Sequence, residues 1–556
     1  MRSDRLIYLP LGGAGEVGMN AYVYGYGPPG KERLILVDLG VTFPDMDTTP
    51  GVDLIFPDIG WLAENRDRLE AIFITHAHED HVGGLGHLWR RLKVPVYARP
   101  FTAYHARRKM EEQGAPDDRV ETALPWPEQT EAGPFRVGFL PLSHSIPESS
   151  ALVIDTPLGR VIHTGDFKLD ETPLVGEPFD PALWAEVARP GVRALVCDST
   201  NVLSLHEGRS EASVGPAIEK LVAKASGMFV ATTFASNIAR VRTLALAGRA
   251  AGRSVCLLGR AMRRMISAGV STGVLADFPP MIGPEEARDI PRKELMLIVT
   301  GSQGERRAAS AQLSRGRYLG LSLAEGDSFL FSSKTIPGNE RGVISVINAL
   351  SERGVEVIDD SSGEYHVSGH ANRPDLARVH DIINPQMVIP MHGEHRHLRA
   401  HVKLAQSKGR PGALAVNGTV LDLSGDAPEV VEHIETGRLY LDGSVQIGAM
   451  DGVVRDRLRM AVGGHVIVTL IIDEEDEVLG DPWVETMGLP ERGVSRRPVV
   501  EALEEALRRF MARLERGVLL EDERFEEALR RETRRVAGDE LGRKPQVSVV
   551  ISRLAA

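Results

Sequence analysis

Thr75-His76-Ala77-His78-Glu79-Asp80-His81 is the stretch on which the reading of this chain turns. It follows Ala71-Ile72-Phe73-Ile74, an apolar run of strand length. It leads through Val82-Gly83-Gly84-Leu85 into His87-Leu88-Trp89-Arg90-Arg91-Leu92, which reads as a helix. Three imidazoles and two carboxylates therefore sit on a strand-to-helix turn, where side chains converge above a sheet edge. Neutral imidazole together with carboxylate suits Zn²⁺ or Mn²⁺. His76 and His78, two apart, can grip one cation, while the adjacent Asp80 and His81 are splayed towards a second. A structural zinc site would draw on cysteine and close with four ligands. The crowding here predicts two metals with open positions, which is what catalysis requires. The bland alternative is a solvated polar loop.

Working outward, strand after strand stops on a histidine or an aspartate. Leu34-Ile35-Leu36-Val37 ends at Asp38, and Phe135 to Leu142 ends at Ser143-His144-Ser145. A hairpin turn at Thr156-Pro157-Leu158-Gly159 returns a strand that ends at Gly165-Asp166. Ala194-Leu195-Val196-Cys197 ends at Asp198, and Met387-Val388-Ile389-Pro390-Met391 ends at His392-Gly393-Glu394. In α/β proteins chemistry gathers at the carboxyl ends of strands, because those ends share one rim.

One motif misleads. Gly13-Ala14-Gly15-Glu16-Val17-Gly18 satisfies G-x-G-x-x-G, with Asp38 downstream as a dinucleotide fold would want. A true fingerprint opens a helix, whereas Asn20-Ala21-Tyr22-Val23-Tyr24-Gly25 alternates like a strand. The glycines are expected to shape a tight turn beside the active site.

Between about 206 and 365 the texture changes. Apolar strands such as Met228-Phe229-Val230-Ala231-Thr232 and Leu295-Met296-Leu297-Ile298-Val299 alternate with helical segments at 217–225 and 235–251, the pattern of a parallel sheet with crossover helices. The strand-end type of texture resumes by 366, so one domain is interrupted by another. The organisation this predicts is 1–205 and 366–425 for the first domain, 206–365 for the insertion, 426–456 for a linker and 457–556 for a small α/β domain. That last domain is expected to hold a strand at 466–472, helices at 498–516 and 521–536, and a closing strand at 547–551.

Composition sets bounds without choosing a function. A chain of 556 residues is too long for one core. Its 42% hydrophobic and 26% charged residues are those of an ordinary globular protein. No apolar run is long enough to span a bilayer, so no membrane partner is expected. The two cysteines, Cys197 and Cys256, exclude a disulfide framework and suit a reducing cytoplasm. A net charge of −12 argues against a protein coated in nucleic acid, but metals and a few cations can still make one positive channel on an acidic body.

Collected, His76, His78, Asp80, His81, His144, Asp166 and His392 resemble the dinuclear site of the metallo-β-lactamase superfamily. The resemblance implies an αββα sandwich in which His76, His78 and His144 hold one metal, Asp80, His81 and His392 hold the other, and Asp166 bridges them. An α/β insertion between Asp198 and Ser368-Gly369-His370 is similar to that of the β-CASP nucleases, with Asp198, His370 and His392 matching that family's motifs A, B and C. Pro10-Leu11-Gly12-Gly13-Ala14-Gly15-Glu16-Val17-Gly18-Met19-Asn20, Pro390-Met391-His392-Gly393-Glu394 and the extra C-terminal domain resemble the bacterial ribonuclease J family. That resemblance implies a cytoplasmic enzyme with two divalent cations per subunit, Zn²⁺ or Mn²⁺. It would act on single-stranded RNA as a 5′→3′ exonuclease preferring a 5′-monophosphate, and also as an endonuclease, in RNA maturation and decay. It would assemble as a homodimer or homotetramer. His370, Asp198 and Asp80 are the expected catalytic residues, Asp198 orienting His370 or His81. Candidates for binding RNA phosphate are Ser302, Gln303, Ser332, Lys334, Ser368, Gly369, His370 and Arg373. A DNA nuclease of the same family, a small-ester or β-lactam hydrolase and a non-catalytic RNA-binding scaffold are the alternatives.

Overall fold

The computed structural model describes residues 4–554. The chain divides into two compact units, one of residues 1–42 and 56–438, the other of residues 43–55 and 439–556.

Two sheets face each other in the first unit. One has eight strands in the spatial order Glu429–His433, Thr419–Asp422, Arg5–Gly12, Ala21–Gly27, Arg33–Val37, Leu69–Ile74, Val96–Ala98 and Val120–Thr122. The other has six, in the order Met387–Met391, Val192–Asp198, Gly159–His163, Ser150–Thr156, Phe135–Pro141 and Gln129–Ala132. Alternate residues of both sheets interdigitate between them: Tyr8, Tyr22, Ile35, Val37 and Phe73 meet Phe135, Val137, Phe139, Ile154, Val196 and Ile389. Intervening residues such as Leu36, Ile72, Val153 and Leu195 are equally buried. Both faces of each sheet are therefore covered, and this near-continuous hydrophobicity is why the strands are legible as apolar runs. Trp184 on the helix Pro181–Ala188, with Leu376 and Val379 on the helix Arg373–Ile383, packs against the outer face of the second sheet. The expected αββα sandwich is the observed one.

The insertion is a five-stranded parallel sheet in the order Ser254–Leu258, Leu295–Val299, Phe229–Thr232, Ser328–Phe331 and Glu356–Ile358. Phe229, Ala231, Met296 and Ile298 face the helices Gly215–Lys224 and Ile238–Ala250. Val230, Leu297, Val299 and Phe329 face the helices Ala309–Arg315 and Glu340–Ser351.

The second unit holds His465–Ile472 between the antiparallel Trp483–Met487 and the parallel Gln546–Arg553. The helices Val499–Met511 and Asp522–Leu541 bury Leu503, Leu507, Phe525 and Leu529 against Val466, Val468 and Leu470. The segment from 426, expected to connect domains and to carry short strands, supplies one of them, Glu429–His433, as the edge strand of the eight-stranded sheet. One feature differs from the sequence reading: 43–55, read with the first domain, belongs to the second unit, where Asp53 donates its backbone N–H to the Leu441 carbonyl at 2.8 Å. That pairing has no local sequence signature, because its partners lie hundreds of positions apart.

Candidate metal centre

The strand Leu69–Ile74 delivers Thr75 and His76, and the helix Glu79–Val82 carries Asp80 and His81. The turn between them is held from the neighbouring strand end. Asp38 sits there with φ of 61°, a left-handed conformation uncommon for a non-glycine residue. Its carboxylate accepts the Thr75 N–H at 2.8 Å and the Thr75 hydroxyl at 2.9 Å, and lies 2.7 Å from His81 Nδ1. Gly40 passes so close to the short helix that a Cβ there would lie 1.6 Å from the Asp80 carbonyl oxygen. Asn20 donates to that same carbonyl at 3.0 Å, and Tyr22 fixes Asn20 with a 2.7 Å bond to its Oδ1. The glycine-rich segment before Asn20 makes tight turns beside the site: Gly13, Gly15 and Gly18 all have positive φ, and a Cβ on Gly13 would meet Asn20 Oδ1 at 2.1 Å.

Three imidazoles meet at one point. His76 Nε2 and His144 Nε2 lie 3.1 and 3.2 Å from His78 Nδ1. The outer nitrogens fix the tautomers. Thr75 gives its hydroxyl proton to Asp38, so it accepts from His76 Nδ1 at 3.0 Å. The Gly369 carbonyl, an acceptor only, takes the proton of His144 Nδ1 at 2.6 Å. Both rings thus aim lone pairs inward at His78, whose own outer Nε2 lies 3.1 Å from Ser236 Oγ. Two inward lone pairs meeting a third ring nitrogen give a cation three donors in reach of one point.

A second group adjoins the first. His81 Nε2 lies 3.2 Å from Asp166 Oδ2 and 3.6 Å from Asp80 Oδ2. His392 Nε2 lies 3.3 Å from Asp80 Oδ2. His392 has φ of 47°, and its Nε2 is buried without a hydrogen bond, as is Asp166 Oδ1. His392 Nδ1 is 3.0 Å from that oxygen but not aligned to bond it. Ligand atoms of His76, His78, His144 and Asp166 lie within 4.8 Å of one another, as do those of Asp80, His81, Asp166 and His392, so Asp166 is common to both groups. Two open-ended sets of nitrogen and oxygen donors sharing a carboxylate fit a pair of Zn²⁺ or Mn²⁺ ions.

Charge tells the same story. Burial drives the imidazoles of His76 and His144 well below their ordinary range and that of His78 to about 4, so all three are neutral, as ligands must be. Burial opposes charge on His81 too, yet the carboxylates of Asp166, Asp80 and Asp38 overcome it and push His81 up to about 10. His392 rises likewise, mainly through Asp166 acting against burial. Several carboxylates buried side by side draw positive charge to the one spot that divalent cations would fill.

Beside this centre, His370 Nδ1 lies 2.8 Å from Asp198 Oδ2, and the other Asp198 oxygen accepts from the Thr200 N–H at 2.9 Å and hydroxyl at 2.7 Å. Asp198 therefore orients His370, while Asp38 orients His81. The His370 side chain is 22% exposed and packs between the rings of His144 and His392.

The phosphate candidates scatter in role. Ser332 is wholly buried, donates to the Tyr365 carbonyl and accepts from Arg240, and Gln303 is spent on the Lys334 carbonyl and the Ile336 N–H. Ser302 is buried. Ser368 accepts from Asn201 and from the His370 N–H, and Gly369 offers His144 its carbonyl. Arg373 is half-buried and Lys334 exposed, and among the described residues neither side chain has a carboxylate within ion-pair distance. Thr75, Asn20, Gly40, Thr200 and Ser236 support the site without being marked as functional by the sequence reasoning. Thr75 and Thr200 are findable as strand-end hydroxyls, but nothing local marks Ser236.

Four family models match the chain in order: the metallo-beta-lactamase superfamily over 14–199, the ribonuclease J beta-CASP domain over 226–350, the Zn-dependent metallo-hydrolase RNA specificity domain over 364–414 and the ribonuclease J C-terminal domain over 452–554. Ribonuclease J of Sinorhizobium meliloti is 40% identical over 555 residues, spanning 100% of this chain and 98% of that protein. The chain belongs to the ribonuclease J family. Ribonuclease J of Mycolicibacterium smegmatis is 35% identical over 97% of this chain and 95% of its own, and that of Thermus thermophilus 32% identical over 91% and 89%. A crystal structure from Enterococcus faecalis V583, of a protein described as of unknown function, superposes with a TM-score of 0.53 at 17% identity over 75% of this chain and 100% of that one, a likeness of fold alone. Membership in the ribonuclease J family makes the chain a metal-dependent ribonuclease, a hydrolase whose substrate is RNA.

Proposed function

We propose that RNA phosphodiesters are hydrolysed at a dinuclear centre in which His76, His78 and His144 hold one cation, Asp80, His81 and His392 hold the second, and Asp166 joins them. The observation carrying this reading is the pair of donor groups that share Asp166. Divalent cations bound there would neutralise a phosphate's charge and make water a competent nucleophile at neutral pH.

The protein's own groups do the rest. Asp38, Thr75, Gly369 and Ser236 hold the outer nitrogens of the imidazoles, so each ring presents its inner nitrogen without rearrangement. Asp198 accepts from the Nδ1–H of His370 and its charge, acting against burial, favours the imidazolium, so Nε2–H is left to face substrate. Water would lose one proton to solvent as its oxygen bonds to phosphorus, and as the bond to the 3′ oxygen breaks the imidazolium would pass its Nε2 proton to that oxygen or stabilise the charge on phosphate. Lys334 and Arg373, cations without ion-pair partners among the described residues, are the better-placed of the candidates for a 5′-phosphate contact.

The finer reading is a 5′→3′ exonuclease preferring 5′-monophosphorylated RNA, with endonuclease activity, serving RNA maturation and decay. Both cysteines are free and buried, which supports a reducing, cytoplasmic setting. A homodimer or homotetramer is expected, and sedimentation of the full chain tests it. The decisive experiment combines metal analysis with degradation of 5′-monophosphate, 5′-triphosphate and 5′-hydroxyl RNAs by the wild type and by Asp80→Ala. Two metals per chain, fastest loss of the monophosphate and an inactive but folded variant are expected. Equal rates on all three RNAs would remove the 5′-end preference.

A further inference from the structure

The second unit contains a groove of about 880 Å³, lined by residues 440–463 on one side and 534–546 on the other. Its position owes nothing to the metal centre, since every lining residue belongs to the second unit. Four cations face into it: Arg455 and Arg459 from the helix Val453–Gly463, Arg534 from the helix Asp522–Leu541, and Lys544 from the turn after it. Arg455 and Arg459 are four residues apart and so share a helix face. Arg543 stands at the rim, where it donates to the Val462 carbonyl at 3.0 Å.

Among the described residues no carboxylate lines the groove, although the chain as a whole carries a net charge of −12. The acid on the same helix is Asp456, 3.9 Å from Arg455 and 3.7 Å from Arg459. All three side chains in these contacts are more than half exposed, so the pairing is weak and leaves the cations available. Arg534 makes a long 3.4 Å contact to the neutral Gln546. Among the described residues no carboxylate lies within ion-pair distance of Arg534 or Lys544. Apolar residues share the lining with the cations, and Tyr440, Val454 and Pro545 among them are buried. Low-dielectric walls under clustered cations focus the field into the cleft and concentrate anions there.

We propose that this groove binds the phosphodiester backbone of single-stranded RNA, as an anchoring site separate from the one that cleaves it. The proposal rests on the ribonuclease reading above. A polyanion matches the charge, and the protein's substrate is one. The cations lie on two elements facing across a cleft, which is the arrangement that tracks a strand rather than one that captures a lone phosphate.

The test uses the full-length, metal-loaded protein and a triple variant, Arg455→Gln, Arg459→Gln and Lys544→Gln. These side chains are exposed, so folding should be preserved, and Arg455→Lys with Arg459→Lys serves as a charge-retaining control. Binding is measured by anisotropy on an uncleavable 2′-O-methyl phosphorothioate RNA of about 20 nucleotides, longer than the ~4–16 nucleotides that one such site engages. Each phosphate contact on a single strand contributes about 0.7 to the salt slope, so three lost contacts should flatten it by about 2. The wild type should then lose about 20-fold more affinity than the triple variant between roughly 50 and 200 mM salt. The lysine control should keep the wild-type slope. Cleavage of an RNA of about 4 nucleotides, too short to fill a second site of this class while occupying the first, should proceed at the same kcat/KM in all variants.

An unchanged salt slope in the triple variant would overturn the proposal. So would an unchanged slope with a fall in sedimentation coefficient, which would mark the groove as a contact between copies of the chain. Failure of the wild type to cleave the short RNA would sink the ribonuclease reading instead. The binding measurement needs no cleavage and still decides the groove.

Discussion

Asp38 shows how one side chain does several things. It accepts from Thr75, which sets the tautomer of His76, and it holds the Nδ1 of His81, so a single carboxylate orients an imidazole in each donor group. Asp38→Asn should cost about 10–100-fold in metal affinity, read by titration of the metal-free protein. Asp198 bonds His370 at 2.8 Å and stands 3.6 Å from Nδ1 of His392, the ring nitrogen away from Asp80. Asp198→Asn should therefore keep its metals yet lose about 10²–10⁴ in kcat, with a smaller change in KM. Normal kcat with altered metal content would contradict that assignment. His105 supplies a pH prediction away from the centre. Burial, with Lys109 and Arg108 nearby, lowers its imidazole to about 4. The unfolded chain takes up this proton near the ordinary value of about 6.5 and the folded chain does not, so stability is full above that pH and is lost as pH falls towards 4. Denaturant midpoints should drop from pH 7 to pH 5, and should drop less in His105→Gln. The strand-end histidines and aspartates are legible one by one. Ser236 is not, because its partner His78 is 158 positions away.

At the scale of elements, the strand–turn–helix from Leu69 to Leu92 is readable because its apolar run, its glycines and its helical pattern are all local. What local pattern cannot report is the closeness of Gly40 to that turn. Hydrogen bonds from Leu39, Val41 and Gly84 across the two segments hold them together, leaving no room for a side chain. Gly40→Ala should destabilise the first unit by at least the ~1–3 kcal/mol of ordinary overpacking and should loosen metal binding with it. Thermal denaturation alongside metal analysis checks both, and a wild-type melting temperature would refute the close approach. The C-terminal helices show the opposite case. Their amphipathic pattern is local, and they lie near their expected places, although the first stops at Met511 and a separate turn comes after it at Arg516–Leu519.

Across the whole molecule, the donors come from positions 76 to 392 and meet only when both sheets of the sandwich have formed. A cation held by these donors would bind the folded chain and not the unfolded one. Each site should add about 2.7 kcal/mol of stability at a free metal concentration 100-fold above its Kd. Chelation should accordingly lower the melting of the first unit, and an unchanged transition would argue against preformed sites. The sequence by itself determined the interruption by a parallel α/β insertion and offered the strand-end donors, because strand hydrophobicity and strand-end chemistry are short-range features, and through the family its motifs resemble it implied the αββα sandwich. Only the tertiary structure decided which nitrogen of each imidazole points inward, that Asp38 serves His81 while Asp198 serves His370, and that the residues after 426 include an edge strand. It also turned Ser332 and Gln303 from phosphate candidates into internal supports. The physical reason is the same throughout. A residue's type states what it can bond, but the bond it makes depends on neighbours brought in from distant parts of the chain.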